Sequence, residues 1–541
     1  MQATAHSHDP TRIQTPDPGA AFRVGQRVHF IGQPTRIGTV KYVGAVEGYS
    51  GNWVGVDWDA DGEGKHDGSH NGITYFTARG PNTASFVRPH NLSAGVSLLE
   101  ALETRYRAPS TKEEEDEMYV LSATNKKVSI ELLGKDKIED KLSRFEELTS
   151  ESLPYLGVSC PGSPDLISLT LPSLKELDLT GNLLASWEDI GIICERLPAL
   201  TALNLSKNCI SPDITNTPQL RNIRVLVLNQ TGVIWKQVEV LKDSLPQVEE
   251  LHLMGNKLRE ITPISSAMVQ GFISLQLLNL ENNCISSWDE IVKLSQLPSL
   301  EQLYLNNNNI NHVWYPDSGT FHEGSTPFKS LRSLFLGGNN IEDLESVDAL
   351  NSFPNLMDIR LLENPVADLG KGGAPRFVFI ARLAKVEVLN GSEVTPRERK
   401  DSEIRFVRLV MSKFHGNPEE IKRLHPRFNE LKQIHGIEDE RPSAGASGPQ
   451  KMASGLISIA LKCVGASMGE KPPLVKKLPA TTTVGKLKNL CESFFKLKSI
   501  KPVLFLQEEG SPLPMLLEDD MASLVEVGVG NESTILIDEL S

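Results

Sequence analysis

A short pattern of leucines closed by an asparagine, or in one copy by a threonine, recurs eight times through the middle of the chain. Its first copy is LKELDLTGNLL, which holds Leu174, Leu177, Leu179 and Asn182. The closing positions are Asn182, Asn208, Thr231, Asn256, Asn283, Asn308, Asn339 and Asn364, at intervals of 23 to 31 residues. A unit this short cannot bury its flat faces alone, so successive units must stack on one another. The repeat therefore predicts a solenoid.

This is the pattern of leucine-rich repeats, an α/β architecture. The leucines point inward from a short parallel strand, and the asparagine side chain satisfies backbone groups where the chain leaves that strand. We predict the solenoid over residues 151–369, with LPYLGVS (Leu153, Leu156 and Val158) as an incomplete first unit and a loop near residues 314–327. Residues 370–435 should form a C-terminal cap with a helix, a last strand and a turn at Glu398-Arg399-Lys400, followed by helical sequence.

The flanking segments differ from the solenoid in composition and in residue pattern. Residues 22–92 are dense in glycine with short β-type runs, which predicts a small all-β barrel. Residues 456–541 read as strand, turn, strand, helix and two strands, which is the order of a ubiquitin-like α+β β-grasp, with the helix beginning near Thr482 or Thr483. The rest should be a polar tail (1–21), a connector with a helical segment (93–150, helical texture from Asp136 to Leu153) and a linker (436–455).

Composition and motifs exclude several classes of protein. The net charge is -14, so we expect no binding to nucleic acid. The sequence contains no run of about 18 apolar residues, so we expect no membrane span. The six cysteines contain no CxxC pair, which favours buried free thiols in a reducing, cytoplasmic compartment. No phosphate-binding loop or catalytic constellation is present, so we expect no enzyme activity, cofactor or metal.

The most specific motif is GKHDGSHNGITYF, residues 64–76, preceded by NWVGVDWD, residues 52–59. A lysine between tightly turning glycines can receive a carboxylate through its ammonium group and nearby backbone N–H groups. Trp53, Phe76 and Tyr49 could wall a slot for one aromatic ring. Residues 22–92 carry seven Lys or Arg against six Asp or Glu, so an acidic ligand is tolerated here in an otherwise acidic chain.

This segment resembles the CAP-Gly family, whose members bind C-terminal peptides ending in Glu-Glu-Tyr or Glu-Glu-Phe, as at the tail of α-tubulin. The resemblance implies that Lys65, His66 and Gly68 face the carboxylates of the peptide and that Asp67 holds the turn. It also makes Arg79 a candidate for contacts with the acidic side chains. Many members have asparagine where this chain has His66, which changes the reach of the hydrogen-bond donor.

The solenoid offers a second candidate surface. The residue between the last two leucines of each repeat should face the concave side. In three adjacent C-terminal repeats these residues are Tyr304, Phe335 and Arg360, which are the side-chain types that dominate interface energies. We predict that this patch grips the folded body of a protein whose tail the glycine-rich domain holds.

CAP-Gly, leucine-rich repeats and a ubiquitin-like domain, in that order, resemble the tubulin-folding cofactor E family. The resemblance implies a cytoplasmic, cytoskeleton-associated chaperone that binds α-tubulin and acts with cofactors B, C and D and β-tubulin in assembling and dissociating the αβ heterodimer. Two alternatives remain open. One is a microtubule-associated CAP-Gly adaptor, which the single CAP-Gly domain without a long basic stretch disfavours. The other is an adaptor that delivers tubulin to the proteasome or to ubiquitin receptors.

Overall fold

The structure is a computed structural model that describes residues 22–107, 119–121, 127–129, 144–214, 216–264, 267–316, 326–413, 418–437, 456–465, 468–469, 471–497, 501–507 and 514–539. The predicted tail (1–21), the acidic run at residues 113–116, most of the 314–327 loop and almost all of the 436–455 linker lie outside these residues. The chain divides into two compact units, residues 1–257 with 271–275 and residues 258–270 with 276–541. Each unit is described by itself.

The first unit begins with an antiparallel sheet, as predicted for this all-β segment. Its core is apolar, with Val28, Val40, Val54, Val56 and Trp58 fully buried. Five strands follow one another in the order β6-β3-β2-β1-β7, and β4 and β5 form a separate hairpin. The strands are β1 (Arg27–Phe30), β2 (Gln33–Ala45), β3 (Asn52–Trp58), β4 (Ser69–His70), β5 (Ile73–Thr74), β6 (Ala84–Val87) and β7 (Leu92–Ser93).

The described residues of the connector contain short elements of regular structure. These are β8 (Val96–Ser97), α1 (Leu98–Arg107), β9 (Tyr119–Leu121) and β10 (Lys127–Ser129), and the first solenoid unit then contributes β11 (Ser150–Ser152) and β12 (Val158–Cys160). Strand β8 pairs in parallel with β12, so the segment that leaves the CAP-Gly-like sheet is hydrogen-bonded to the start of the solenoid. Buried Glu151 of β11 accepts a hydrogen bond from the Tyr106 hydroxyl at 2.7 Å and pairs with Arg105 of α1.

The helical texture predicted from Asp136 to Leu153 is wrong where the structure describes it. Residues Phe145–Glu147 form a single 3₁₀ turn, and β11 follows as a strand. The reason is tertiary: β11 pairs in parallel with the first repeat strand, so ladder hydrogen bonds override local helix propensity.

The first unit holds the early repeats. Strand β11 is followed in the parallel ladder by β13 (Glu176–Asp178), β14 (Ala202–Asn204), β15 (Val225–Val227) and β16 (Glu250–His252). The opposite side carries α2 (Pro164–Thr170), α3 (Trp187–Arg196) and α4 (Trp235–Leu241). The predicted asparagine ladder is present: the Asn182 amide donates to the carbonyls of Leu153 and Leu179 at 2.8 and 2.9 Å, and its oxygen accepts from Val158 N–H.

The second unit continues the same architecture. Its strands are β17 (Leu277–Asn279), β18 (Gln302–Tyr304), β19 (Ser333–Phe335), β20 (Asp358–Arg360), β21 (Val388–Leu389) and the antiparallel β22 (Ser392–Glu393), with helices α5 (Trp288–Val292) and α6 (Leu344–Ala349). All eight predicted repeats therefore contribute a strand at the expected position.

The cap of the second unit is helical. It consists of α7 (Arg376–Arg382), α8 (Pro396–Lys413), α9 (Pro418–Leu424) and α10 (Phe428–Ile434) around Phe377, Phe406 and Leu431. The helix and last strand agree with the sequence prediction, but the turn predicted at Glu398-Arg399-Lys400 is wrong. These residues lie in the first turns of α8, where Arg399 donates to the carbonyls of Ile380 and Leu383 and so ties α8 to α7.

The C-terminal β-grasp agrees with its prediction. Its elements are β23 (Leu456–Cys463), β24 (Leu474–Pro479), α11 (Val484–Phe495), β25 (Pro502–Gln507), β26 (Met515–Leu516) and β27 (Thr534–Glu539), with sheet order β24-β23-β27-β25-β26. Thr483 caps α11 by accepting from Lys486 N–H at 3.3 Å.

The cysteines are all free, but the prediction that they are buried is only partly right. Cys194 and Cys491 are buried, and burial raises the pKa of each thiol to about 12. Cys209 is exposed. Within the part of the chain that the structure describes, no helix is long and apolar enough to cross a membrane.

Candidate peptide-binding site

The turn from Gly64 to Ser69 is built on backbone hydrogen bonds and two close approaches that require glycine. Lys65 N–H donates to Ala84 O at 2.7 Å, which fixes the turn to strand β6. A Cβ on Gly64 would lie 2.2 Å from the carbonyl carbon of Thr83, and a Cβ on Gly68 would lie 2.0 Å from Phe76 O. Gly68 also has a φ of 102°, in the region that side chains disfavour. The glycines of the motif therefore define its shape.

Asp67 closes the turn on itself. Its carboxylate accepts from Ser69 N–H at 3.0 Å, and this hydrogen bond lowers the pKa of Asp67. Its carbonyl accepts from Ala78 N–H. The side chain thus has a structural role that is consistent with the expected one of holding the turn.

His66 is held in one orientation and one tautomer. Its ring stacks on Phe86 with a centroid distance of 4.9 Å, and its Nδ1 accepts from Gly68 N–H at 3.0 Å. Because Nδ1 is the acceptor, the proton of the neutral ring is on Nε2, which becomes the donor. Burial is the main cause that lowers the pKa of His66, and His70 lowers it further although Asp67 opposes the shift.

The pKa shift predicts the pH response of the groove. Since the pKa of His66 lies below its ordinary value of 6.5, the ring is neutral from about pH 8 to about pH 7. We expect the affinity for an acidic peptide to change less than about twofold over that range, in parallel for the natural chain and His66→Asn. Isothermal titration at each pH checks this. Affinity that rises toward pH 7 only in the natural chain would mean that His66 acts as a cation.

The predicted aromatic wall separates into two groups. Tyr49, which is 52% exposed, packs edge-to-face on Trp53 at 5.7 Å and beside His70 at 5.4 Å. Phe76 instead packs on Phe86 at 5.8 Å and lies under the glycine turn. Tyr49 and Trp53 therefore form the accessible edge, while Phe76 supports the turn from within.

Arg88 is a further candidate residue, which the sequence pattern does not indicate. Its guanidinium lies 3.8 Å from the centroid of the Trp53 ring and donates to Ser50 O at 2.8 Å. Within the described residues, neither Arg88 nor exposed Lys65 forms an ion pair with a carboxylate. The pairing of Arg88 with Trp53 joins residues far apart in sequence, so no local pattern could have indicated it.

Arg79, the other candidate cation, is engaged by groups of its own domain. Its guanidinium donates to the carbonyls of Trp58 and Asp59 and lies 3.4 Å from Asp61. Arg79 lines a cleft of about 1030 Å³ together with Tyr155 and Lys207 of the first repeats. Its cationic group is thus already engaged within the domain.

The three side chains of the second candidate surface contact one another in the later repeats. The rings of Tyr304 and Phe335 stack at 4.5 Å with an interplanar angle of 11°, and the Arg360 guanidinium lies 4.0 Å above Phe335. Phe335 is buried in this stack. The Tyr304 hydroxyl donates to the Gln302 side chain at 2.7 Å. The three side chains form one rigid column, which we call the concave column.

Comparisons with known proteins agree with this architecture. The CAP-Gly domain model matches residues 24–92, and leucine-rich-repeat models match residues 246–310 and 284–408. Tubulin-folding cofactor E of Arabidopsis thaliana is 64% identical to this chain, in an alignment that covers 96% of this chain and 98% of that protein. Tubulin-specific chaperone E of Homo sapiens is 30% identical, covering 95% and 98% of the two chains.

A solved domain also matches the C-terminal part. The solution structure of the C-terminal ubiquitin-like domain of mouse tubulin-specific chaperone E is 27% identical, covers 18% of this chain and 95% of that one, and has a TM-score of 0.15. The nearly full-length match at 64% identity decides the assignment, and this chain belongs to the tubulin-folding cofactor E family.

Proposed function

We propose that this protein is a tubulin-folding chaperone that holds the acidic C-terminal tail of α-tubulin in the CAP-Gly groove. Family membership supports the role in tubulin folding. One observation carries the tail site: the cationic Lys65 and Arg88, without carboxylate partners in the described residues, stand in the same small domain as the exposed ring of Tyr49 against Trp53.

The chemistry of the groove suits a peptide with acidic residues and a terminal aromatic. The ammonium of Lys65 and the Nε2–H of His66 offer donors to carboxylates, and hydrogen bonds to charged groups are the stronger ones. The edge formed by Tyr49 and Trp53 offers apolar area to an aromatic ring. Arg88 would add a second positive charge beside that edge.

A peptide titration tests the tail site. A peptide ending in Glu-Glu-Tyr should bind the full chain, and Lys65→Ala should weaken it at least about tenfold, or about 1.4 kcal/mol, because one charge-assisted contact is lost. Removing the terminal tyrosine should have a comparable effect. Arg23→Ala is the matched control, since it removes one exposed cation from the same domain without touching the groove. Equal affinity in Lys65→Ala and Arg23→Ala would reject the tail site.

We further propose that the concave column contacts the folded body of α-tubulin. Its support is the preformed stack of Tyr304, Phe335 and Arg360, which costs little conformational entropy on binding because the rings are already ordered. Aromatic and arginine side chains dominate interface energies in general.

The column has its own test, which is independent of the tail. Tyr304→Ala and Arg360→Ala combined should weaken binding to α-tubulin lacking its C-terminal tail by at least about 30-fold, or about 2 kcal/mol. Phe335 is left in place because it is buried and its removal could disturb the fold. Glu301→Ala is the control, because Glu301 is exposed in the same repeat as Tyr304 and its side chain makes no hydrogen bond or ion pair within the described residues. Unchanged affinity in the double variant would remove the column from the proposal.

The wider partners follow from the same proposal. With α-tubulin bound, the chain would meet β-tubulin with cofactors B, C and D, as the family's name and our sequence analysis suggest. A microtubule-associated adaptor would bind polymer in preference to dimers. Co-sedimentation with microtubules against gel filtration with tubulin dimers distinguishes the two, and a preference for polymer would favour the adaptor.

A further inference from the structure

The ubiquitin-like domain lies against the helical cap of the same unit through a glycine-containing loop, residues 528–532, which we call the docking loop. A Cβ on Gly530 would lie 2.6 Å from Arg405 Cδ and 2.8 Å from its Nε. A Cβ on Gly528, whose φ is 82°, would lie 3.2 Å from Arg405 Nη2 and 3.4 Å from the Phe377 ring. The loop backbone therefore rests directly on the Arg405 side chain.

The cap presents a prepared surface to this loop. The guanidinium of Arg405 on α8 lies 4.3 Å from the centroid of Phe377 on α7. About two helical turns before Arg405 on α8, Arg397 forms an ion pair with Glu532 of the docking loop. We call Phe377, Arg397 and Arg405 the cap seat. Glu532 has a φ of 63°, an uncommon conformation for a residue other than glycine, at the point of contact.

The ion pair is of the weak kind. The side chains of Arg397 and Glu532 are 69% and 59% exposed. Exposed ion pairs contribute little to stability and are screened by salt. The contact is thus sensitive to ionic strength.

Each of the two domains has a core of its own. In the ubiquitin-like domain, Ile459, Leu461, Leu504 and Ile535 are fully buried among themselves and their neighbours. In the cap, Phe406, Val407 and Leu431 form a separate cluster. The two clusters are separate, although Phe377 and Val529 adjoin the contact, so the two domains could part with most of each core kept.

The surfaces between the domains are loosely packed. An open cleft of about 710 Å³ lies between them, lined by Val378, Phe406 and Leu409 of the cap and by Met515 and Leu517 of the ubiquitin-like domain. Because the cleft is open to solvent, it adds no close-packed contact to the interface.

We infer that the docking loop and the cap seat form a releasable latch, which holds the ubiquitin-like domain against the end of the solenoid and opens as a rigid-body separation. Opening separates the cap around Phe377 from the side of the ubiquitin-like domain at Met515 and exposes both to solvent. This inference does not depend on tubulin binding by the CAP-Gly groove or the concave column.

Footprinting with hydroxyl radicals on the full chain tests the latch. Gly530→Arg adds bulk and a like charge against Arg405 and Arg397, and Arg405→Ala removes the anchor from the other side. Both variants should raise the oxidation of Phe377 and Met515 at least about threefold. Raising the salt from about 0.05 M to about 0.5 M should shift the natural chain in the same direction. Val475→Arg is the matched control, because it introduces the same residue at a 65% exposed position of β24, the opposite edge of the same sheet.

Three results would overturn the latch. The first is oxidation of Phe377 and Met515 at the level of the natural chain in both Gly530→Arg and Arg405→Ala. The second is an increase in the oxidation of these residues in Val475→Arg that equals the increase in the two latch variants, which would point to general destabilisation of the domain. The third is increased oxidation of Phe495, a residue of the ubiquitin-like core, because the contact would then be part of that core.

Discussion

Asn208→Ala should lower the free energy of unfolding of the first unit by about 4 kcal/mol, among the largest losses that a single substitution outside the apolar core can cause. Asn208 is fully buried. Its amide donates to the carbonyls of Leu179 and Leu205 at 2.9 and 3.0 Å, and its oxygen accepts from Leu184 N–H at 3.2 Å. Alanine leaves Leu184 N–H buried without a partner, at a cost of about 1–3 kcal/mol, and removes one hydrogen bond from each of the two carbonyls, at about 0.5–1.5 kcal/mol apiece. The Leu179 carbonyl still accepts from the Asn182 amide, and the Leu205 carbonyl still accepts from the backbone N–H of residue 208.

The matched control for Asn208 is Asn222→Ala. Asn222 is exposed and makes one hydrogen bond, to Pro198 O at 2.9 Å, and water can replace that bond. We expect a loss below about 1 kcal/mol there. Urea unfolding followed by circular dichroism measures both variants. Similar losses at the two positions would mean that the asparagine ladder adds no more to the solenoid than a surface hydrogen bond.

The same asparagine explains why the solenoid could be predicted from the sequence. A side chain that satisfies fixed backbone groups must recur at a fixed place in each turn, so its period is visible without any knowledge of the fold. The signal for the β-grasp helix is equally local, because Thr483 caps the helix that begins at the next residue. Predictions succeeded where a residue acts on its own repeat, on the adjacent repeat or on its own helix.

The features that the sequence did not predict depend on contacts between residues that are far apart in the chain. The sequence predicts helix at strand β11 because the ladder partner of this strand, residues 176–178, is more than twenty residues away. Arg88 was missed because its stacking on Trp53 depends on how β6 and β3 pair. The contact of Arg405 with Gly530 joins two domains and has no sequence period. Long-range pairing of this kind depends on tertiary structure and cannot be predicted from local propensity.

Burial corrected the candidate site in the same way. The sequence offered Tyr49, Trp53 and Phe76 as equivalent aromatics, but only the packing shows that Phe76 supports the glycine turn while Tyr49 is at the surface. Likewise Arg79 and Arg88 look alike in sequence. Arg79 is engaged by carbonyls and Asp61, and Arg88 lies on the aromatic edge.

Gly68→Ala should abolish binding of a peptide ending in Glu-Glu-Tyr, with a loss of at least about 100-fold, or about 2.7 kcal/mol. The added Cβ would lie 2.0 Å from Phe76 O, a backbone atom that cannot rotate away, so the turn that carries Lys65 and His66 must move. The displacement would also break the hydrogen bond from Gly68 N–H to His66 Nδ1, which fixes the donor tautomer. One methyl group therefore removes the orientation of the main proposed donors together.

Gly72→Ala separates this clash from ordinary backbone strain. Gly72 lies in the same hairpin with a φ of 81°, close to the 102° of Gly68, yet a Cβ there would meet nothing within 4 Å. Both variants incur the penalty of about 1–2 kcal/mol for a side chain in the left-handed region. Only Gly68→Ala adds the collision, so titration calorimetry with the same peptide should show binding retained within about threefold for Gly72→Ala and lost for Gly68→Ala. Equal losses would assign the effect to backbone strain in the hairpin, and full binding by Gly68→Ala would show that the geometry of the turn does not govern peptide capture.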